Sequence, residues 1–152
     1  MYRANIYEQV QRESLEGREL EASVLFKASQ KLHSCAREWD KRQTKDFQEK
    51  LTEALQFNQK LWTFLEVELA NPAHPMPETL RLNLLRLGKF VDKRIFILFA
   101  GRGTLDDLLS IARVNEQIGK GLEKGTPSEP ENERSGHTEG STSSIRLLDI
   151  AG

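Results

Sequence analysis

The stretch FNQKLWTFLEVEL, residues 57–69, determines the fold class of the chain. When residues from Ala54 onward are placed at about 100° each around a helix, the apolar side chains fill one arc about half the circumference wide. The polar side chains fill the other half, with one exception. Asn58 falls near the middle of the apolar arc. The pattern predicts an amphipathic α-helix that carries an amide where packing should be driest.

The same periodicity predicts five helical segments, over residues 4–13, 17–39, 44–69, 77–100 and 104–122. Three prolines in NPAHPMPE separate the third segment from the fourth, and GRG at 101–103 ends the fourth. Thr104 is the predicted N-cap of the fifth segment, with Asp107 in the capping-box position. The fourth segment is apolar almost all round, so we expect it to be central. The sequence therefore predicts an all-α fold, a small bundle of about five helices.

The composition changes sharply near residue 124. Residues 124–144 contain no aliphatic or aromatic side chain and are rich in Ser, Glu, Gly and Pro. Such a segment cannot bury enough apolar surface to offset the cost of ordering. We predict a helical domain over residues 1–123 and a disordered tail over 124–152, which ends in the short apolar segment IRLLDIAG.

Composition bounds the class of protein. The net charge of −1 does not indicate a polycation that binds nucleic acid or an acidic tail protein. No apolar run is long enough to cross a membrane, and the first residues lack the apolar core of a secretory signal. A single cysteine excludes an intrachain disulfide. We expect a cytoplasmic protein with no membrane insertion, and the oligomeric state stays open.

Catalytic constellations are absent from the sequence pattern. His33, His74 and His137 show no metal-ligand spacing, and Cys35 lies on an apolar stripe without a cysteine partner. We predict that the protein is not an enzyme and has no catalytic residue, metal or cofactor. Asp92 lies beside apolar residues of the fourth segment, where an isolated carboxylate is expensive, so we expect it to pair with a cation or to cap a neighbouring helix.

Two amides have the same unusual position. Asn115 lies in the apolar arc of the fifth segment, as Asn58 does in the third. Each amide either bonds a neighbouring helix and fixes the register, or lies in a groove that is open to a partner. The sequence leaves both interpretations open.

A basic row accompanies the fourth segment. Arg86, Lys89 and Lys93 recur at helical spacing and form either a solvated face or a patch that follows RNA phosphates. The sequence shows no aromatic stacking platform beside them, which argues against nucleic acid as a partner.

Three blocks of the chain resemble the FlaF family, the flagellar biosynthesis regulators of Alphaproteobacteria. The blocks are GRELEASVLFKASQKL at 17–32, EALQFNQKLWTFLEVEL at 53–69 and LRLNLLRLGKFVDKRIF at 80–96. The most distinctive motifs are FNQKLW and FVDKR. The resemblance spans residues 1–122, and the tail lies outside it.

The resemblance implies a non-enzymatic role in flagellum assembly. Members of the family act after transcription to control the synthesis and secretion of flagellin, alongside a partner called FlbT, and the favoured role is a flagellin-binding export chaperone. The candidate partner-binding residues are then Asn58, Gln59, Trp62 and Asn115. Two alternatives stay open: an RNA-binding regulator of the flagellin messenger that uses Arg86, Lys89 and Lys93, or an adaptor that acts through FlbT.

Overall fold

The computed structural model describes the backbone of residues 2–124 and the side chains of residues 17–124. This part of the chain forms four α-helices and one 3-10 turn, with no strand. The helices are α1 (Tyr2–Arg37), α2 (Lys45–Ala70), α3 (Glu78–Phe99) and α4 (Leu105–Lys124), and the 3-10 turn is Trp39–Lys41. The all-α prediction is confirmed. The tail beyond residue 124, including IRLLDIAG, lies outside the described residues, so the division into domain and tail stays a prediction.

The number of helices differs from the prediction, because the first two predicted segments form the single helix α1. Residues 14–16 between them are Ser, Leu and Glu, and Gly17 follows. None of these residues is a proline, and a glycine inside a helix costs only about 1 kcal/mol relative to alanine. The gap in the apolar periodicity therefore does not end the helix.

The predicted helix boundaries agree with the capping contacts. The Thr44 hydroxyl accepts a hydrogen bond from the Phe47 amide at the start of α2, with a length of 3.2 Å. At the start of α4, the Thr104 amide donates to Asp107 Oδ2 at 2.8 Å, and the Asp107 amide donates to Thr104 Oγ1 at 3.2 Å. This reciprocal pair is the predicted capping box. Gly101 ends α3 with a φ of 76°, in the left-handed region that glycine adopts without strain.

Short connections join antiparallel neighbours into an up-down-up-down bundle. Lys50 bonds Glu38 near the α1–α2 turn, and Arg94 contacts Asp107 near the α3–α4 turn. The helix α1 packs against both α2 and α4, and α3 closes the bundle against α2 and α4. The core is contributed by all four helices, with Leu25, Leu32, Trp62, Val91 and Ile111 among its most buried members.

Candidate partner-binding surface

A chain of hydrogen bonds runs through the core at the level of Asn58. The Trp62 indole Nε1 donates to Asn115 Oδ1 at 2.8 Å, and Asn115 Nδ2 donates to Asn58 Oδ1 at 2.7 Å. Asn58 Nδ2 then donates to the carbonyl oxygens of Ala54 and Ala28, at 2.9 and 3.3 Å. We call Asn58, Trp62 and Asn115 the buried polar chain. It connects α2 with α1 and α4 inside otherwise apolar packing.

The buried polar chain shows where the side chains of Asn58 and Asn115 bond in the folded bundle. All three side chains are 0% exposed, so each amide bonds a neighbouring helix in the folded bundle. Because an unpaired buried donor or acceptor costs about 1–3 kcal/mol, these bonds favour one register of α2 against α4. Of the four predicted partner-binding residues, Gln59 alone is exposed. A partner reaches the other three only if helices separate, and their contact with a partner stays a prediction.

The predicted basic row lies on the outer face of α3. Leu82, Arg86, Lys89, Lys93 and Phe96 follow one another at intervals of four, three, four and three residues, which places them on one side of the helix. All five side chains are exposed, and Phe96 is 66% exposed. We call these five residues the α3 stripe. At about 1.5 Å per residue the stripe is about 21 Å long, with an apolar side chain at each end and three cations between.

Contacts on the opposite side of α3 keep the α3 stripe on the outer face of the bundle. The other side of α3 buries Leu84, Leu87, Val91 and Ile95 in the core. The Arg81 guanidinium donates to the carbonyl oxygen of Leu69 at 2.8 Å, which satisfies an acceptor at the end of α2. The helix α3 is therefore fixed in rotation. Its position also corrects the expectation that it is central, because one of its apolar faces meets solvent.

An interhelical pair of carboxyl groups borders the stripe. Glu66 of α2 is hydrogen-bonded to Asp92 of α3. Burial and the Asp92 neighbour raise the pKa of Glu66 to about 7, although the positive charge of Lys89 acts to lower it. Gly88 makes room for the pair, since an added Cβ there would lie 2.6 Å from Glu66 Oε2. Asp92 therefore has a partner on another helix, as expected, but that partner is a carboxyl group and not a cation.

Three more exposed hydrophobic side chains lie on α1 and α2, each within about one helical turn of the contact between Glu21 and Glu68. Leu20, Phe64 and Val67 are 65%, 54% and 68% exposed. We call these three residues the α1–α2 edge. A second carboxyl pair, Glu21 and Glu68, joins the two helices at the same level, and burial together with the Glu68 neighbour raises the pKa of Glu21 to about 7.

The described residues contain no group of three or more metal-ligating side chains. Ser29, His33 and Glu116 form a polar cluster between α1 and α4. Glu116 Oε2 accepts a hydrogen bond from the Ser29 hydroxyl at 2.8 Å and lies 3.1 Å from His33 Nε2. In this cluster the carboxylate is central and Ser29 also donates to the Ala112 carbonyl, so the contacts join α1 to α4. Cys35 is buried, and desolvation raises the pKa of its thiol.

Sequence reasoning missed the exposed ends of the α3 stripe. Both residues belong to the fourth predicted segment, which is expected to be central, and only the packing of α3 shows that their face is outside. A signal was present, because Leu82 and Phe96 share a helical face with Arg86, Lys89 and Lys93. A face that mixes cations with hydrophobic residues is seldom a core face.

The fold and its outer faces define a small all-α bundle protein. None of the helices in the described part of the chain is both long and apolar enough to cross a membrane. The sequence model of a family described as Flagellar protein FlaF matches residues 3–122, and the chain belongs to the FlaF family. Comparisons with curated proteins and with solved structures give no significant match.

Proposed function

We propose that this protein is a cytoplasmic flagellin-binding chaperone that acts after transcription and promotes the synthesis and secretion of flagellin. The α3 stripe is its client-binding surface. Membership of the FlaF family supports a role in the flagellum. The observation that carries the proposal is the exposure of Leu82 and Phe96 at the two ends of one helical face.

The spacing of the stripe suits a helical client. Side chains at intervals of four and three residues form the ridge that packs along an amphipathic helix, whose own apolar residues recur at the same intervals. An amphipathic helix of a flagellin subunit is unsafe when it is exposed, because its apolar face favours aggregation. Leu82 and Phe96 would contact that apolar face, and the three cations between them would pair with client carboxylates.

The buried polar chain is less suited to client binding. Its hydrogen-bond donors are already paired within the bundle, and all three side chains are buried. Exposing them would break at least two interhelical bonds and open the core. Gln59 is exposed on α2 and is the candidate from the FNQKLW motif that could contact a client without such opening.

RNA binding is the second candidate function, and the three exposed cations of the stripe favour it. One feature of the same surface favours a protein client. The cations are flanked by the exposed hydrophobic side chains of Leu82 and Phe96, which have no role in binding phosphates.

The test offers the full chain three partners separately: purified flagellin, FlbT and the leader of the flagellin messenger. Isothermal titration at about 0.05 and 0.2 M salt separates the candidates, since three phosphate contacts predict a loss of about 20- to 40-fold in affinity over this range. We expect binding to flagellin that weakens only a few-fold. Binding to FlbT alone would support an adaptor, and steeply salt-dependent binding to RNA alone would support the translational regulator.

A further inference from the structure

We propose that the apolar segment at residues 145–150 of the same chain docks on the α3 stripe and covers it when no client is bound. The contact itself concerns only the bundle and the tail. Its consequence, competition with a client, rests on the proposed function. The tail lies beyond the residues matched by the family, so the proposal concerns a feature of this particular chain.

Charge complementarity favours this contact. Residues 125–152 contain five acidic and two basic side chains, which gives them a net charge of −3, whereas the rest of the chain carries +2. The three cations of the stripe lie together on one face of α3. Attraction between the acidic tail and this row raises the local concentration of the segment at the stripe.

The segment also matches the stripe in apolar character. Among residues 145–150, Arg146 and Asp149 are the only polar side chains, and they lie within about 60° of each other on a helical projection. Ile145, Leu147, Leu148 and Ile150 take the remaining arc. A helix of this length is marginal in isolation, so it gains order by packing against an apolar surface such as Leu82 or Phe96.

The length of the connecting residues permits the contact. The helix α4 is antiparallel to α3, so its last residue, Lys124, lies near the beginning of α3, where Leu82 is located. From α4 to the outer face of α3 is about two interaxial distances, on the order of 20 Å. Twenty residues of the composition of 125–144 have a root-mean-square reach of roughly 25 Å. Such tethering supplies an effective concentration on the order of millimolar.

The α1–α2 edge is a poorer match for the tail. It is also apolar, and each surface has a carboxyl pair beside it, Glu21 with Glu68 at the edge and Glu66 with Asp92 at the stripe. The stripe adds three exposed cations, whereas the edge has Arg18 near Glu21 and the exposed Glu19. An acidic tail is therefore attracted more strongly to the stripe than to the edge. The edge serves as the internal comparison in the experiment.

The experiment places a nitroxide on the full chain at Ser143→Cys and measures paramagnetic broadening of amide signals. Cys35 is 0% exposed, so the reagent reacts with the introduced cysteine. The parent chain, treated with the same reagent, is the control for this selectivity. We expect the amides of Leu82, Lys89 and Phe96 to lose more than about half their intensity, while Leu20 and Val67 retain theirs. Adding Leu147→Ser and Leu148→Ser should restore the intensities, whereas Ser141→Ala with Thr142→Ala should not.

Three results would overturn the proposal. The first is broadening centred on Leu20 and Val67, and the second is the absence of selective broadening at any amide. The third is broadening that arises only between different chains, seen when nitroxide-labelled chains broaden the signals of chains without nitroxide in a mixture. The first assigns the tail to the α1–α2 edge, and the third assigns the contact to a second copy of the chain.

Client affinity provides the second measurement. If the tail occupies the stripe, Leu147→Ser with Leu148→Ser should tighten flagellin binding by about 2- to 10-fold, as expected for a tethered competitor with a millimolar effective concentration. Unchanged affinity with selective broadening rejects the competition and retains the contact. Absent flagellin binding with selective broadening rejects the proposed function and leaves the tail contact standing.

Discussion

The buried polar chain and the α3 stripe use polar residues in opposite ways. Inside the bundle, Asn58, Trp62 and Asn115 satisfy one another and link three helices, so their polarity specifies how the helices fit together. On the outside of α3, Arg86, Lys89 and Lys93 are displayed between two exposed hydrophobic residues. The difference separates residues that define the fold from residues available to a partner, and substitutions in both regions test that separation.

The largest effect is expected at Trp62, the first donor of the buried polar chain. Trp62→Ala should lower the free energy of unfolding by about 3–5 kcal/mol, because it leaves a cavity and removes the donor to Asn115. Phe64→Ala, two residues along α2 and 54% exposed, is the control and should cost less than about 1 kcal/mol. Denaturant unfolding of both variants makes the comparison. Equal losses would show that Trp62 contributes no more to the core than an exposed phenylalanine does.

A smaller loss is expected when only the hydrogen bonds are removed. Asn115→Leu keeps the number and branching of the side-chain heavy atoms but leaves the Trp62 indole and Asn58 Oδ1 without partners, which should cost about 2–4 kcal/mol. Gln59→Leu changes an exposed amide on α2 in the same way and should stay within about 0.5 kcal/mol. Chemical denaturation is again the measurement, and a neutral Asn115→Leu would mean that the polar chain does not specify the packing.

The carboxyl pairs predict a pH dependence of stability. The pKa values of Glu66 and Glu21 are raised from the ordinary 4.5 to about 7, so between these values the folded protein binds more protons than the unfolded chain. The stability from these groups is complete below about pH 4.5 and is lost as the pH rises through 7. Lys89 and Asp92 face Glu66, and Arg18 and Glu68 face Glu21.

Neutral amides should remove this dependence. In thermal unfolding between pH 5 and 8, Glu66→Gln should reduce the fall in stability, and Glu66→Gln with Glu21→Gln should reduce it further. The exposed Glu53→Gln is the control and should leave the slope unchanged. A slope that is the same in the double variant as in the parent chain would reject the protonated pairs.

The smallest effect on stability is expected on the α3 stripe. Replacing Arg86, Lys89 and Lys93 together by Gln should change the free energy of unfolding by no more than about 1 kcal/mol, because these cations are exposed. The same variant should weaken flagellin binding. A melting temperature that falls as far as in Asn115→Leu would place the stripe in the structural part of the molecule.

Helical periodicity predicted most of this fold but not the orientation of every face. The apolar residues at 3.6-residue spacing identify α2, and the capping box of Thr104 and Asp107 identifies the start of α4, because both signals are local. The continuity of α1 through Gly17 was not predicted, since a single glycine is compatible with either outcome. The outer position of Leu82 and Phe96 is set by the packing of α3 against α2 and α4, and the local signal for it is the helical face that they share with three cations. For Asn58 and Asn115, the same pattern fitted a register contact or a partner groove, and only the distances between helices decide.

Two matched variants test whether the client binds the outer face of α3 or another apolar surface. Phe96→Ser and Phe64→Ser make the same change at phenylalanines that are 66% and 54% exposed, one on the α3 stripe and one on the α1–α2 edge. Titration of flagellin into each full-length variant measures the affinity. We expect a loss in affinity of at least about tenfold, or about 1.4 kcal/mol, for Phe96→Ser and of less than about twofold for Phe64→Ser. Equal losses, or a larger loss for Phe64→Ser, would contradict this expectation.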